Sequence, residues 1–143
     1  MRVVLDTNVW VSAIRSRRGA SFALLEALPQ ALFRYGLSLA LYLEYQEKLI
    51  EQVSTGSTPL TEREVGAVLA ALARFADPVA IYYSLRPNLK DESDNMVFEC
   101  AANYGAIYIV THNMRDFRRP QLTAYEIEPI EPSRFLQIIR SKS

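Results

Sequence analysis

Four acidic residues in this 143-residue chain could do chemistry together: Asp6, Glu44, Asp94 and Asp116. Asp6 follows the apolar run Val3-Val4-Leu5 directly. Glu44 falls in the second turn of a helix that follows the next strand. Asp94 opens a later helical segment, Asp-Asn-Met-Val-Phe-Glu-Cys-Ala. Asp116 lies six residues past the run Ile107–Val110, within Thr-His-Asn-Met-Arg-Asp-Phe. Carboxylate oxygens with few nitrogen or sulfur neighbours suit Mg²⁺ or Mn²⁺. Zinc is disfavoured, because His112 is the only histidine and Cys100 the only cysteine. An acidic pocket that holds hard cations is the usual apparatus of phosphodiester hydrolysis. Each acid also has a structural alternative. Asp6 or Asn8 could cap the helix that follows, and Glu44 could be an exposed residue of an amphipathic helix. Asp94 could complement a helix dipole, and Asp116 could be a turn residue.

The elements that must position these groups follow from periodicity. Residues 2–5 read as a strand buried on both faces. A helical region starts near residue 9, breaks over 15–19, and resumes through Ser21–Leu28 with Phe22, Leu24, Leu25 and Leu28 on its apolar face, until Pro29 stops it. Leu32–Ser38 reads as the second strand. A helix from Leu39 to Val53 is expected to bury Leu39, Tyr42, Leu43, Leu49, Ile50 and Val53. Thr61 and Glu64 have the spacing of a capping box ahead of another helix. Val79–Tyr83 reads as a strand begun at Pro78. Asp91–Ser93 leads into a helix that runs to Tyr104 and ends at Gly105. Ile107–Val110 is a buried strand, and Tyr125–Ile127 a weaker edge strand with Glu126 outward. Pro132 and Ser133 start a terminal helix. Strands alternate with helices, which predicts an α/β fold with a mostly parallel sheet. In such a fold ligands bind beyond the carboxyl ends of the strands, where all four acids are expected.

Length and composition set bounds on the rest. The chain fits one domain, residues 1–143, with half its residues hydrophobic. It carries 16 basic and 16 acidic residues, so bulk charge does not attract nucleic acid. Local clusters do exist: Arg15, Arg17 and Arg18, then Arg115, Arg118 and Arg119, each in a connection after a predicted strand. No apolar stretch reaches membrane-helix length, and Arg2 with three apolar residues is no signal peptide. A cytoplasmic protein is expected, with Cys100 as buried packing. There is no Gly-x-Gly-x-x-Gly and no Gly-Lys-Ser/Thr, which argues against dinucleotide and P-loop chemistry.

Four segments, in their order and spacing, resemble the PIN-domain family, in particular the branch described as toxin components of toxin–antitoxin systems. They are Val3–Asn8, Ser38–Glu44, Asp94–Ala101 and Tyr108–Phe117. The resemblance implies a PIN-like three-layer fold around a five-stranded, mostly parallel sheet. It implies a metal-dependent ribonuclease that prefers single-stranded RNA, with self-association as a homodimer or higher homo-oligomer, and often a small antitoxin partner. Asp6, Glu44 and Asp94 match the family's regular acidic positions. Asp116 matches the acid of an Asn-x-x-Asp-Phe variant, while many relatives carry an acid where this chain has Asn113. Asp91 matches an acidic loop. Thr7, Asn8 and Thr111 fit a polar shell that would orient carboxylates or water.

The expected function is thus an Mg²⁺- or Mn²⁺-dependent endoribonuclease. Asp6 and Asp94 would be the principal ligands, with Glu44 and Asp116 completing the shell directly or through water. Arg15, Arg17, Arg18, Arg115 and Arg118 would steer the RNA backbone. One rival is a catalytically silent PIN-like binding module that acts through dimerisation or partner capture. Another is a phosphatase or receiver-type protein, for which Asp6-Thr7-Asn8 lacks the Asp-x-Asp nucleophile motif and Thr111-His112-Asn113 lacks the late lysine.

Overall fold

Val3, Val4 and Leu5 are fully buried, and the strand they form, β1 (Arg2–Leu5), is the middle strand of the sheet. A computed structural model describes residues 1–82, 92–117, 122 and 124–142. The other strands are β2 (Arg34–Leu37), β3 (Asp77–Pro78), β4 (Tyr108–Val110) and β5 (Glu128–Ile130). Their order is β3-β2-β1-β4-β5, and every described pairing is parallel. The chain therefore fills one side of β1 first and then crosses to the other. The resulting switch point, between the carboxyl ends of β1 and β4, is where an open α/β sheet forms its ligand crevice.

The helices are α1 (Thr7–Arg15), α2 (Ala20–Ala27), α3 (Leu39–Ser54), α4 (Glu62–Phe75), α5 (Glu92–Tyr104) and α6 (Pro132–Ser141). Helix α5 packs on β1, β2 and β4; α1 packs on α2 and α3, α2 on α6, and α4 on α3. Each start has a local cause. The Ser38 hydroxyl accepts from the Leu41 N–H at 3.2 Å to cap α3. Thr61 and Glu64 form the expected capping box of α4, and Pro132 opens α6. Gly105, at φ +74°, ends α5 in the left-handed region that glycine enters without steric cost. Trp10, fully buried, sits 6.5 Å from both the Tyr35 and Tyr45 rings and joins α1 to β2 and α3. None of the described helices is long and apolar enough to cross a membrane.

Three expectations need correction. First, α3 buries only part of the expected row: Leu49 is buried and Tyr42 and Val53 pack half-buried against the core. Leu39 and Leu43 are 74% and 51% exposed and Ile50 is also exposed, whereas Leu41, Tyr45, Leu49 and Gln52 point inward with Glu44. Both rows have helical spacing, so periodicity alone could not choose between them. The inner row wins because Tyr45 finds a backbone partner in β1. Second, the strand expected at Val79–Tyr83 is instead Asp77–Pro78, in register with Gly36 and Leu37, followed by a Val79 N–H to Leu37 carbonyl bond of 3.1 Å. Tyr83 lies outside the described residues. Third, the last strand is Glu128–Ile130, not Tyr125–Ile127. Glu126 adopts φ +59° in a turn in which the Tyr125 and Ile127 N–H groups both donate to the Leu122 carbonyl. A strand centred on Pro129 has no ordinary strand signature.

Beyond the site, Asp77 accepts hydrogen bonds from the Tyr104 hydroxyl and, at 2.9 Å, from Arg34. Gly36 lies under this group: a Cβ there would stand 2.6 Å from the Tyr104 ring and 2.8 Å from Val79.

Candidate metal and nucleic-acid site

Asp6 stands at the N-cap position of α1, yet its side chain makes no capping bond. Its Oδ2 accepts instead from the Thr111 hydroxyl at 2.8 Å, across the switch point from β1 to the end of β4. The capping alternative for Asp6 is thereby set aside. Thr111, fully buried, also accepts from the Asn8 amide at 3.3 Å and the Asn113 N–H at 3.0 Å. Asn8 in turn accepts from the His112 N–H at 3.2 Å. Asp6, Thr111, Asn8 and the Asn113 backbone thus form one hydrogen-bonded polar network beside Thr7. The Thr7 hydroxyl oxygen is buried without a hydrogen-bond partner among the described residues.

A second group forms where α3 meets the start of α5. The Ser93 hydroxyl donates to Glu44 Oε1 at 2.9 Å, and Asp94 is the next residue on α5. Asp6, Glu44 and Asp94 are only 5%, 8% and 6% exposed. Burial of three carboxylates is costly in the absence of compensating hydrogen bonds or cations. Glu44 is therefore not an ordinary exposed helix residue. Asp116 lies on the short 3₁₀ turn Met114–Phe117, half-buried, where fully buried Phe117 anchors the turn. Its N–H donates to the Asn113 carbonyl at 3.1 Å.

Among the described residues, no three His, Cys, Asp or Glu side chains stand together closely enough to hold an ion as they are. The donor set nevertheless fits a hard cation in kind. It consists of oxygen atoms from carboxylates, hydroxyls and amides, with an unpartnered buried hydroxyl at Thr7.

The basic residues divide. Arg15, at the end of α1, donates to Gln52 of α3 at 2.7 Å and so ties two helices together. Arg17, Arg18 and Arg115 are exposed. The Ser21 hydroxyl and His112 Nε2 lie 3.0 Å apart, which brings the start of α2, just past the first arginine cluster, against the loop that leads to Arg115. Partial burial lowers the His112 pKa, opposed by the charge of Glu131. Asp91 and Arg118 lie outside the described residues. Cys100 is buried, which pushes its thiol up to about 11 and makes it packing and not a nucleophile.

Sequence reasoning missed Ser93, Ser21 and Tyr45. Ser93 read only as part of a helix lead-in, and Ser21 only as the start of α2. Tyr45, next to Glu44, fell outside the row expected to be buried on α3.

An apolar groove of about 420 Å³ opens between α1, α2 and α4, lined by Ile14, Phe22, Leu25, Leu60 and Val68, with Arg17 and Glu64 at its edge.

A family model described as PIN domain matches residues 2–115. Among solved structures, the fold resembles that of VapBC2 from Rickettsia felis bound to a DNA fragment from their promoter. The TM-score is 0.59 at 19% identity, and the match covers 92% of this chain and 98% of that one. No curated protein matches the chain in sequence.

Proposed function

Since the chain belongs to the PIN-domain family, we propose that it is an Mg²⁺- or Mn²⁺-dependent endoribonuclease that hydrolyses single-stranded RNA, acting as the toxin of a toxin–antitoxin pair in the cytoplasm. The observation that carries this reading is the burial of Asp6, Glu44 and Asp94 together with a polar layer at the strand ends. Asp6 and Asp94 would hold the cation, with Glu44 and Asp116 completing its shell directly or through water. The bound cation would polarise the scissile phosphate and lower the pKa of a water. Thr111 would hold the Asp6 carboxylate in a fixed orientation, as a supporting hydrogen bond does for a metal ligand. Ser93 would orient Glu44 in the same way. Arg17, Arg18 and Arg115 would contact phosphates and supply the local positive charge that a net-neutral chain lacks overall.

A second reading, a binding module that acts by partner capture, draws on the groove between α1, α2 and α4. An apolar helix of a small antitoxin fits such a surface by its chemistry. The two readings are compatible if the partner restrains the nuclease. Self-association would use the exposed row of α3, Leu39, Leu43 and Ile50.

The deciding experiment is incubation of pure protein with unstructured RNA in Mn²⁺, in Mg²⁺ and in EDTA, alongside Asp6→Asn. Cleavage by the wild type with either cation, and by neither Asp6→Asn nor the EDTA sample, supports the proposal. Undiminished cleavage in EDTA, or by Asp6→Asn, defeats it.

A further inference from the structure

We infer that Tyr45 is a positioning residue for the acidic site: its hydroxyl ties the end of β1 to α3 and so sets where Asp6 stands relative to Glu44. The inference rests on the metal-dependent reading above.

The paired residues of β1 and β2 end at Val3 and Tyr35, while β1 stays paired with β4 as far as Leu5 and Val110. Over its last two residues β1 is thus held in register by β4. On the α3 side, the Tyr45 hydroxyl donates to the Leu5 carbonyl. Leu5 is the residue before Asp6, and Tyr45 the residue after Glu44. One hydrogen bond therefore links the backbone next to one carboxylate to the helix turn that carries another.

The bond is well placed to persist. Tyr45 is fully buried, with its ring edge-on to Trp10, so the side chain has no alternative partner in water. The Thr111 hydroxyl reaches Asp6 from the β4 side. Tyr45 and Thr111 brace the end of β1 from opposite directions. The Tyr45 bond connects it to the helix that bears Glu44.

A second buried tyrosine provides the control. The Tyr35 hydroxyl donates to the Leu72 carbonyl at 2.6 Å, a similar bond that joins β2 to α4 and not to the end of β1. A merely structural role for Tyr45 predicts that Tyr45→Phe and Tyr35→Phe behave alike.

The test is Mn²⁺ titration by calorimetry, without RNA, on the wild type, Tyr45→Phe and Tyr35→Phe, with thermal unfolding measured for each. Tyr45→Phe should bind Mn²⁺ about tenfold more weakly, the size expected when a support behind a metal ligand is lost. Tyr35→Phe should lose thermal stability to a similar degree and bind Mn²⁺ as the wild type does. Equal affinities in Tyr45→Phe and wild type overturn the inference and leave the metal reading standing. A wild type that binds no Mn²⁺ overturns both. Should Tyr45→Phe not fold, p-aminophenylalanine at position 45 retains a weaker donor. A partial loss of Mn²⁺ affinity then supports the inference, and wild-type affinity overturns it.

Discussion

Replacement of Thr111 by valine removes one hydroxyl and almost no volume, and its effect can be worked out from the partners of that hydroxyl. A threonine oxygen has one proton to give and two lone pairs to receive with. At position 111 all three are used: toward Asp6 at 2.8 Å, and from Asn113 and Asn8 at 3.0 and 3.3 Å. The bond to Asp6 is charge-assisted and buried, a type worth roughly 1.5–3 kcal/mol. Asn8 and the Asn113 loop are less buried than Thr111 and can turn to water, so their losses add little. Thr111→Val should therefore cost about 2–3 kcal/mol. At about 4 °C per kcal/mol for a chain of this size, Tm should fall by about 8–12 °C. Thr111→Ser keeps the hydroxyl and forfeits one methyl, about 1 kcal/mol. Urea unfolding in EDTA, followed by circular dichroism, measures all three proteins without any contribution from bound cations. A Thr111→Val protein within about 0.5 kcal/mol of wild type, inside the range of neutral surface changes, would refute the argument that this hydroxyl stabilises a buried carboxylate.

Other perturbations test other parts of the structure. Gly36→Ala puts a methyl 2.6 Å from the Tyr104 ring and 2.8 Å from Val79, so it should cost about 1–3 kcal/mol by overpacking; an unchanged urea midpoint would show that the ring yields freely. The hydrogen bond from Tyr104, and then those from and the charge of Arg34, hold the Asp77 carboxyl below its ordinary range. A depressed folded pKa contributes stability above the unfolded value, about 3.9, and that stability is lost as pH falls through the folded one. Wild type should therefore lose its advantage over Asp77→Asn only below about pH 4, as read by unfolding midpoints from pH 2 to 7. Leu43→Glu, on the exposed row of α3, should leave monomer stability within about 0.5 kcal/mol but abolish self-association in light scattering; an unaltered assembly would place the contact elsewhere.

The sheet was legible in the chain because buried parallel strands leave continuous apolar runs, and Val3–Leu5 and Ile107–Val110 carry them, although β4 begins only at Tyr108 and Ile107 is exposed. The helix starts were legible where a side chain must cap, as at Thr61, or where a ring presets φ, as at Pro132. The face of α3 was not, since Leu39, Leu43 and Ile50 have the same helical spacing as the buried row. That choice depends on a partner 40 residues away, the Leu5 carbonyl, and no local pattern contains it. The edge strands were misplaced for a related reason: both are so short that pairing with a neighbour, not propensity, defines them. For the site, the acid types and their place after strands were visible. The roles of Ser93 and Thr111 as hydrogen-bond donors depend on long-range contacts that the fold creates.

The two prolines of the sheet margins bear on how copies of this protein can meet. On β5, the Glu128 N–H and the Ile130 carbonyl bond inward to β4, so the intervening Pro129 presents its nitrogen to the outside. On β3, the Val79 N–H bonds inward to Leu37, which turns the nitrogen of Pro78 outward likewise. Neither proline sacrifices a rung of the ladder, and each deletes the one outward N–H that a visiting strand would need at that level. The sheet is thus blunted at both margins against growth by a sixth strand, whether from a neighbour or from a partly unfolded copy. Assembly is left to the helical faces, where side chains can choose the partner, and runaway edge-to-edge stacking is discouraged by two rings that cost the native fold no hydrogen bond.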